Sequence, residues 1–410
     1  MGLVGVVCLI AIAYALSTNR KAVQWRPVGV ALAIQLAIAL LVLRTPFGAR
    51  FFALANEAAA AFIGAANVGI EFVFGAWPEA VLGPDGQVLR LPYVFALRVL
   101  PILVFMSSVF AVLQHFGVLQ RLVEWLARGL RYGLRTSGAE SLATIGEVFL
   151  GMTEAPLLIR PYVAGLTRSE LFTVMTAGLA TVAGSVLVAY MGMIGPEYAG
   201  HLVAASFMAA PAAIAVAKLM VPEEGVPQTR ALARVELERT TVNAIDAAAS
   251  GAAAGVWLAL NIGGMLVAFV ALVHIANAGF EFAGSLVGIS ELSLERALGV
   301  LLAPLAFVLG VPWHDAAQVG ELLGVKTVLN EFIAYQMLAD AKPGLDPRSI
   351  VIASYALCGF ANFGSLAIQI GGLGGIAPER RSDVARDALR ALVAGSLATF
   401  MTAAIAGIVY

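Results

Sequence analysis

Three glutamates, Glu147, Glu154 and Glu331, stand inside stretches that are otherwise apolar. A carboxylate there can bind a cation, carry a proton or accept hydrogen bonds from hydroxyl and amino groups. Such residues need compensation, because a charged side chain at the centre of a bilayer is unfavourable by roughly 2.5–3.5 kcal/mol on insertion scales. The purely structural alternative is a carboxylate neutralised by a buried arginine, and Arg160 follows Glu154 by six positions. Glu147 and Glu154 are seven apart and would share a face of one continuous helix, but Gly151 between them favours a bend or a hairpin tip. Other reactive groups are sparse. His115, His201, His274 and His314 are scattered without ligand spacing, which supports neither a metal centre nor a nucleophilic triad. Gly371-Gly372-Leu373-Gly374-Gly375 has the glycines of a phosphate loop without the Lys-Ser/Thr that completes one, which argues against ATP-driven transport. Cys8 and Cys358 both read as small core residues.

The elements that hold these carboxylates belong in lipid. Of 410 residues 60% are hydrophobic and 12% charged, about half the charged share of an ordinary soluble domain. Twenty-five Lys+Arg against 26 Asp+Glu leave no basic field for nucleic acid. At about 20 apolar residues per crossing the chain has room for roughly eight to ten spans, and it reads as one integral membrane unit.

Met1 to Ser17 forms a first span, retained rather than cleaved because no Lys or Arg precedes its apolar stretch. Arg20, Lys21 and Arg26 then mark a cytoplasmic turn before a second span, Pro27 to Leu43. Arg50 to Gly75 is apolar; Ala76 to Leu91, with Pro78, Gly83, Pro84 and Gly86, reads as a turn-rich excursion into water. Tyr93 to Gly117 is apolar again, and Gln120 to Arg135 alternates apolar and charged residues as an interfacial amphipathic helix does. Tyr198 to Met220, Ala252 to Ile275 and Leu298 to Val311 are further spans, with Glu223 to Glu238 a polar linker between the halves. Arg380, Arg381, Arg386 and Arg390 precede a last span, Leu392 to Tyr410, so both termini face outward.

The halves resemble each other. Thr153-Glu154 answers Asn330-Glu331, and Ser169 to Ser185 and Ser349 to Ser365 are both 16 residues apart. Gly146, Gly151 and Pro156 interrupt one half, and Gly359, Gly364, Gly371, Gly372, Gly374 and Gly375 the other. Unwound backbone at membrane depth is tolerated only where protein buries it or a wet cavity meets it, so repeats broken at matching places point to a secondary transporter with its site between them. Close helix packing alone would explain the glycines but not the carboxylates.

Gly151-Met152-Thr153-Glu154-Ala155-Pro156-Leu157-Leu158-Ile159-Arg160-Pro161-Tyr162, Asn330-Glu331-Phe332-Ile333-Ala334-Tyr335 and Gly359-Phe360-Ala361-Asn362-Phe363-Gly364-Ser365 closely resemble, in the same order, the motifs of the concentrative nucleoside transporters. The likeness runs from about Pro92 to Tyr410, with two preceding spans. It implies an all-α integral membrane protein of about eight transmembrane helices, two re-entrant helical hairpins and interfacial helices, with an inverted internal repeat. Five stretches follow: residues 1–135, N-terminal spans and an interfacial helix, mainly scaffold; 136–222, the first repeat with hairpin 1, transport core; 223–297, linker, interfacial helix and scaffold span; 298–390, the second repeat with hairpin 2, transport core; and 391–410, a C-terminal scaffold span.

By the same resemblance Gly151, Met152, Thr153 and Glu154 face the nucleobase, Glu331, Asn362 and Ser365 hold the ribose hydroxyls, and Val186 and Phe360 add apolar contacts. Ribose hydroxyls are donors that a carboxylate and an amide can accept, so free nucleobases should bind poorly. Many members carry a glutamine where Met152 stands, which leaves base preference among uridine, cytidine and adenosine types open. The family's sodium site maps onto the side chains of Glu147 and Thr181 and the carbonyls of Leu150 and Val182. Sodium-coupled members have an asparagine at the first position; an acid there fits either Na+ or H+ as coupling ion. The expectation is a cation-coupled nucleoside symporter of the bacterial inner membrane, a homotrimer without further cofactor, working by an elevator-type movement. A gradient-insensitive channel and a membrane enzyme with paired glutamates are the competing classes, the enzyme lacking any accompanying nucleophile or metal set.

Overall fold

Runs rich in Ala, Leu, Val and Ile become helix nearly throughout, since a backbone surrounded by lipid must satisfy its own hydrogen bonds. The computed structural model describes residues 1–75, 80–82, 88–90, 94–229, 241–288 and 292–410. Its first elements are α1 (Gly2–Ala15), α2 (Trp25–Arg44), α3 (Pro46–Phe74), an antiparallel pair of short strands, β1 (Ala80–Leu82) and β2 (Val88–Arg90), and the single turn α4 (Phe95–Arg98). There follow α5 (Leu100–His115), α6 (Val118–Leu134), α7 (Gly138–Glu147), a 3-10 turn Ala155–Ile159 leading into α8 (Arg160–Val163), α9 (Arg168–Ala180), α10 (Gly184–Ile194) and α11 (Ala199–Met220). The second half contains α12 (Ala244–Val287), α13 (Leu294–Leu309), α14 (Trp313–Val328), α15 (Glu331–Ala341), α16 (Pro347–Leu357), α17 (Phe363–Ile376) and α18 (Arg381–Val409). Among the described residues seven helical segments are long and apolar enough to cross a membrane, or eight if α13 and α14, bent by 115° at their junction, make one. The fold is that of a helical multi-pass membrane protein, as the sequence implies.

The order of elements repeats. An apolar helix (α5, α12), a second helix (α6, α13), a helix–turn–helix hairpin (α7 with α8, α14 with α15), a broken helix (α9–α10, α16–α17) and a closing helix (α11, α18) succeed one another twice. Ser169 and Ser349 fall in the first turns of α9 and α16, and Ser185 and Ser365 in the first turns of α10 and α17, so the matched 16-residue spacing runs from the start of each broken helix to the start of its second segment. Packing crosses between the repeats: α5 lies along α12, α9 packs on α18 and α16 on α11.

Ser169 and Ser349 also anchor the two hairpins. In the first repeat Lys218 Nζ on α11 lies 2.7 Å from Glu140 Oε2 on α7 and 3.0 Å from Ser169 Oγ. In the second, Ser349 Oγ donates to Asp315 Oδ2 on α14 at 2.6 Å. Glu140 and Asp315 each occupy the third position of their hairpin's first helix, where a carboxylate is favoured by the free N–H groups and the helix dipole. Both α7 and α9 start with complete capping boxes, Ser137 with Glu140 and Thr167 with Glu170.

Burial is uneven. α9, α11 and α18 form the interior, whereas only 17% of the most apolar window of α12 is buried. An apolar helix exposed on most sides requires lipid or another protomer around it. The amphipathic reading of 120–135 corresponds to α6, whose buried stripe is Leu119, Val123, Ala127, Leu130 and Leu134.

Several expectations are corrected. Cys8 is exposed on α1 rather than in the core, because an apolar helix bordering lipid has no need to turn its small residues inward. The last helix starts at Arg381, so Arg381, Arg386 and Arg390 lie within α18 instead of ahead of it; Arg386 meets Asp383 at 3.0 Å, and Asp387 receives Arg168 from α9 at 2.7 and 2.9 Å. α18 packs among α9, α11 and α16. The turn residues Pro78, Gly83, Pro84 and Gly86, and the linker beyond position 229, lie outside the described residues.

Candidate substrate and cation site

Four non-helical segments meet at one place: the hairpin tip 148–154, the break at 181–183 between α9 and α10, the hairpin tip 329–330, and the break at 358–362 between α16 and α17. Backbone contacts tie them together. Gly184 N donates to Phe149 O at 3.0 Å, and Phe360 N to Thr181 O at 3.3 Å. Gly151 has φ +86°, and a Cβ there would fall 2.8 Å from Ala183 Cβ, so the first tip can turn against the break only with glycine at this position.

These segments enclose a cavity of about 650 Å³, within the usual range for small-molecule sites. Its lining includes every residue assigned to substrate: Gly151, Met152, Thr153, Glu154, Val186, Glu331, Phe360, Asn362 and Ser365. Trp257 and Asn261 on α12 complete one wall. A larger crevice of about 1240 Å³ between α3, α5, α12 and α15 has Ser108 and Gln336 as its only polar lining among the described residues and lacks groups to orient a polar solute.

Glu331 is the first residue of α15 and is 3% exposed. Its Oε1 accepts from Tyr190 Oη at 3.0 Å and its Oε2 from Asn362 Nδ2 at 2.7 Å. The Asn362 amide is oriented from its other side, where Oδ1 caps α17 by accepting from Ser365 N at 2.8 Å. Asn330 caps α15 in the same way, accepting from Ile333 N at 3.0 Å. Two helix N-termini therefore open toward the cavity from the second repeat, an arrangement that favours electron-rich ligand atoms and the Glu331 carboxylate itself. Among the described residues no lysine or arginine contacts Glu331: the buried Lys326 ammonium goes to Ala356 O at 2.7 Å and Thr399 Oγ1 at 3.1 Å, with the Phe400 ring 5.8 Å away.

Glu154, also at the tip, is exposed to the cavity, and among the described residues no ion pair joins it to Arg160. The arginine-neutralised alternative therefore has no support. Glu147 ends α7 behind the tip, 1% exposed, with Oε2 buried and unpartnered. Thr181 and Val182 are equally buried in the break, Thr181 Oγ1 donating to Ala177 O at 2.8 Å and keeping its lone pairs available. Leu150 lines the cavity itself.

The sequence reading did not include Tyr190, which holds Glu331 from α10. Its signal was present: it follows Val186 by four positions and so shares a helical face with a residue that was assigned. Asn261 gave no comparable signal, since nothing local tells which side of a long apolar helix faces a cavity.

Three family models match: Na+ dependent nucleoside transporter N-terminus over residues 4–77, nucleoside recognition over 96–197, and Na+ dependent nucleoside transporter C-terminus over 201–407. The uncharacterized transporter YutK of Bacillus subtilis is 44% identical over 408 residues, covering 99% of this chain and 98% of that protein. Sodium/nucleoside cotransporter 1 of Mus musculus is 39% identical over 422 residues, covering 99% of this chain and 63% of the mouse protein. Among solved structures, CNTnw in an inward-facing substrate-bound state is 44% identical with a TM-score of 0.91, covering 100% of this chain and 97% of that one. A CNTnw variant in an outward-facing state is 43% identical with a TM-score of 0.90 and the same coverage. The chain is a transporter rather than an enzyme, and it belongs to the concentrative nucleoside transporter family, alongside that family's bacterial members.

Proposed function

We propose that this chain is a cation-coupled symporter that brings nucleosides across the bacterial inner membrane. The observation that carries the reading is Glu331, a buried carboxylate facing the cavity and braced by Tyr190 and Asn362 rather than by a cation. Such a group is poised to accept hydrogen bonds from ribose hydroxyls, and Asn362 and Ser365 lie beside it. The tip residues Gly151, Met152, Thr153 and Glu154 take the base, with Val186 and Phe360 as apolar walls.

The coupling cation sits behind the tip, at Glu147, Thr181 and the carbonyls of Leu150 and Val182. A buried carboxylate needs a compensating positive charge, and transport offers two. Sodium is supported by the family description and by the name of the mouse cotransporter. A proton is supported by Glu147 itself, a carboxyl group that neutralises by taking one up. In either case the cation fixes the tip that receives substrate, so each ligand tightens the other.

The packing supports an elevator division in which the pair α5 and α12 is the scaffold arm, while α18 and α1, packed on each other and on α9 or α11, travel with the broken helices. The exposed apolar length of α12 suits a homotrimer. Arg20 and Lys21, like Arg380 and Arg381, belong on the cytoplasmic side, with both termini periplasmic. Proteoliposomes loaded with buffer and given labelled uridine under a separate Na+ or H+ gradient test the reading. Uphill accumulation under one gradient is the expected result; equilibration insensitive to both would replace the symporter with a facilitator.

A further inference from the structure

Between Ser250 and His274, α12 carries one amide, hydroxyl or charged side chain, Asn261. An amide within so apolar a helix is unfavourable unless it is hydrogen-bonded, and in membrane proteins such a residue ordinarily bonds across to a neighbouring helix. Asn261 makes no hydrogen bond to any described residue, and it is exposed. Its place in the sequence does not say what it meets. The structure does: Asn261 lines the cavity that also holds Glu331 and the first hairpin tip. Ala254, Trp257, Leu258 and Met265, on the same side of the helix, line it too.

Contacts on either side of Asn261 place it along the cavity. One turn after it, Met265 borders the ribose side, where a Cβ on Gly364, next to Ser365 in α17, would lie 3.8 Å from Met265 Sδ. Before it, Gly255 packs on α5: a Cβ there would lie 3.0 Å from Ser107 Cβ, and Ser107 also lines the cavity. Phe110, one turn further along α5, abuts Gly184, whose N–H is bonded to Phe149 O of the first tip. α12 thus runs from the tip side to the ribose side, with Asn261 about 6 Å along the axis from Met265 in the direction of the tip. A nucleoside whose ribose meets Glu331, Asn362 and Ser365 presents its base in that direction.

We propose that Asn261 reads the edge of the nucleobase from α12. This rests on the nucleoside reading and gives it a selecting group. Met152 of the tip has no donor to offer a base edge. A carboxamide has a donor and an acceptor side by side and can match uracil, cytosine or adenine by turning over. Trp257, one turn before Asn261, offers an aromatic face to any planar base, which leaves the choice among bases to the amide. Because α12 is the scaffold arm in the elevator division, the contact forms only where the moving core brings the base against it. Selection then takes place at one station of the cycle instead of travelling with the substrate.

The test titrates the purified full-length chain with uridine and with cytidine by calorimetry, in sodium chloride at mildly acid pH so that either coupling cation is present. Asn261→Leu should bind both nucleosides about tenfold more weakly, with the melting temperature and elution volume of the wild type, since no bond within the chain is lost. Asn261→Asp is close in volume and keeps only acceptors. A carboxylate accepts from the cytosine amino group and repels the uracil carbonyl, so the cytidine-to-uridine affinity ratio should rise about tenfold over the wild type. Ribose is common to both ligands, so the ratio reports the base alone, and it decides the matter if Asn261→Leu fails to fold. Wild-type affinities in Asn261→Leu, an unchanged ratio in Asn261→Asp, or an altered oligomeric state in Asn261→Leu overturns the role of Asn261 and leaves the nucleoside reading standing. A wild type that binds neither nucleoside overturns both.

Discussion

Asn362 Nδ2 lies 2.7 Å from Glu331 Oε2, joining the break in one helix to the tip of a hairpin 31 residues earlier. Neither residue could hold the other without its own helix cap. Asn362 is fixed because its Oδ1 receives Ser365 N, and Glu331 follows directly on Asn330, which caps α15. The pair is thus set by two helix starts, and the carboxylate is left with lone pairs toward the cavity for a ligand's hydroxyl groups.

Glu331→Gln removes the charge and replaces one acceptor oxygen by a donor that faces the Tyr190 hydroxyl or the Asn362 amide. Hydrogen bonds to charged groups contribute about 1.5–3 kcal/mol each, so losing two toward ribose should reduce nucleoside uptake by at least about 100-fold. Expression and size-exclusion behaviour should be unchanged, because the cap acceptors, Asn330 Oδ1 for α15 and Asn362 Oδ1 for α17, are kept in the variant. Tritiated uridine uptake by proteoliposomes containing the variant reads this directly; wild-type uptake would remove Glu331 from the ribose contact.

Gly151→Ala tests the hairpin tip. The substitution imposes a left-handed conformation on a residue with a side chain, at a cost of about 1–2 kcal/mol, and places its methyl group 2.8 Å from Ala183 Cβ. Uptake should fall about tenfold or more while the protein remains folded. Adding Ala183→Gly relieves the contact but not the backbone strain, so the double variant should recover part of the loss. Full activity in Gly151→Ala alone would show that the tip need not close on the break.

Much of this site was legible because its residues break a local rule. Glu147, Glu154 and Glu331 are carboxylates in apolar sequence, Gly151 and Gly359 are glycines in helical sequence, and lipid gives both a functional meaning. The matched serines, Ser169 with Ser349 and Ser185 with Ser365, mark where the broken helices break because a helix break must recur where the repeat recurs. Helix limits were less legible: Arg381 to Arg390 were placed outside α18 by their charge, yet Asp383 and Asp387 supply partners inside the helix and across to α9. The sides of α12 that face protein were not legible at all, since its apolar character has no stripe. Tyr190 belongs to a third class, an ordinary residue for a helix whose importance appears only when a distant element delivers the atom it meets.

Lys218→Met addresses how hairpin 1 is held at its base. The ammonium, nearly buried on α11, contacts Glu140 of α7 at 2.7 Å, Ser169 of α9 at 3.0 Å and Glu223 at 3.5 Å. Removing one partner of a buried pair strands the other charge, at a cost of about 3–5 kcal/mol, so the variant should melt several degrees below the wild type in a thermal scan of the detergent-solubilised protein. Glu140→Gln introduced together with Lys218→Met removes the stranded charge and should restore a large part of that loss. Uridine affinity should change little in either variant that remains folded, because Glu140 lies at the opposite end of α7 from Glu147 and none of these residues reaches the cavity. Equal melting temperatures for wild type and Lys218→Met would mean that capping and packing alone hold the hairpin against α9 and α11.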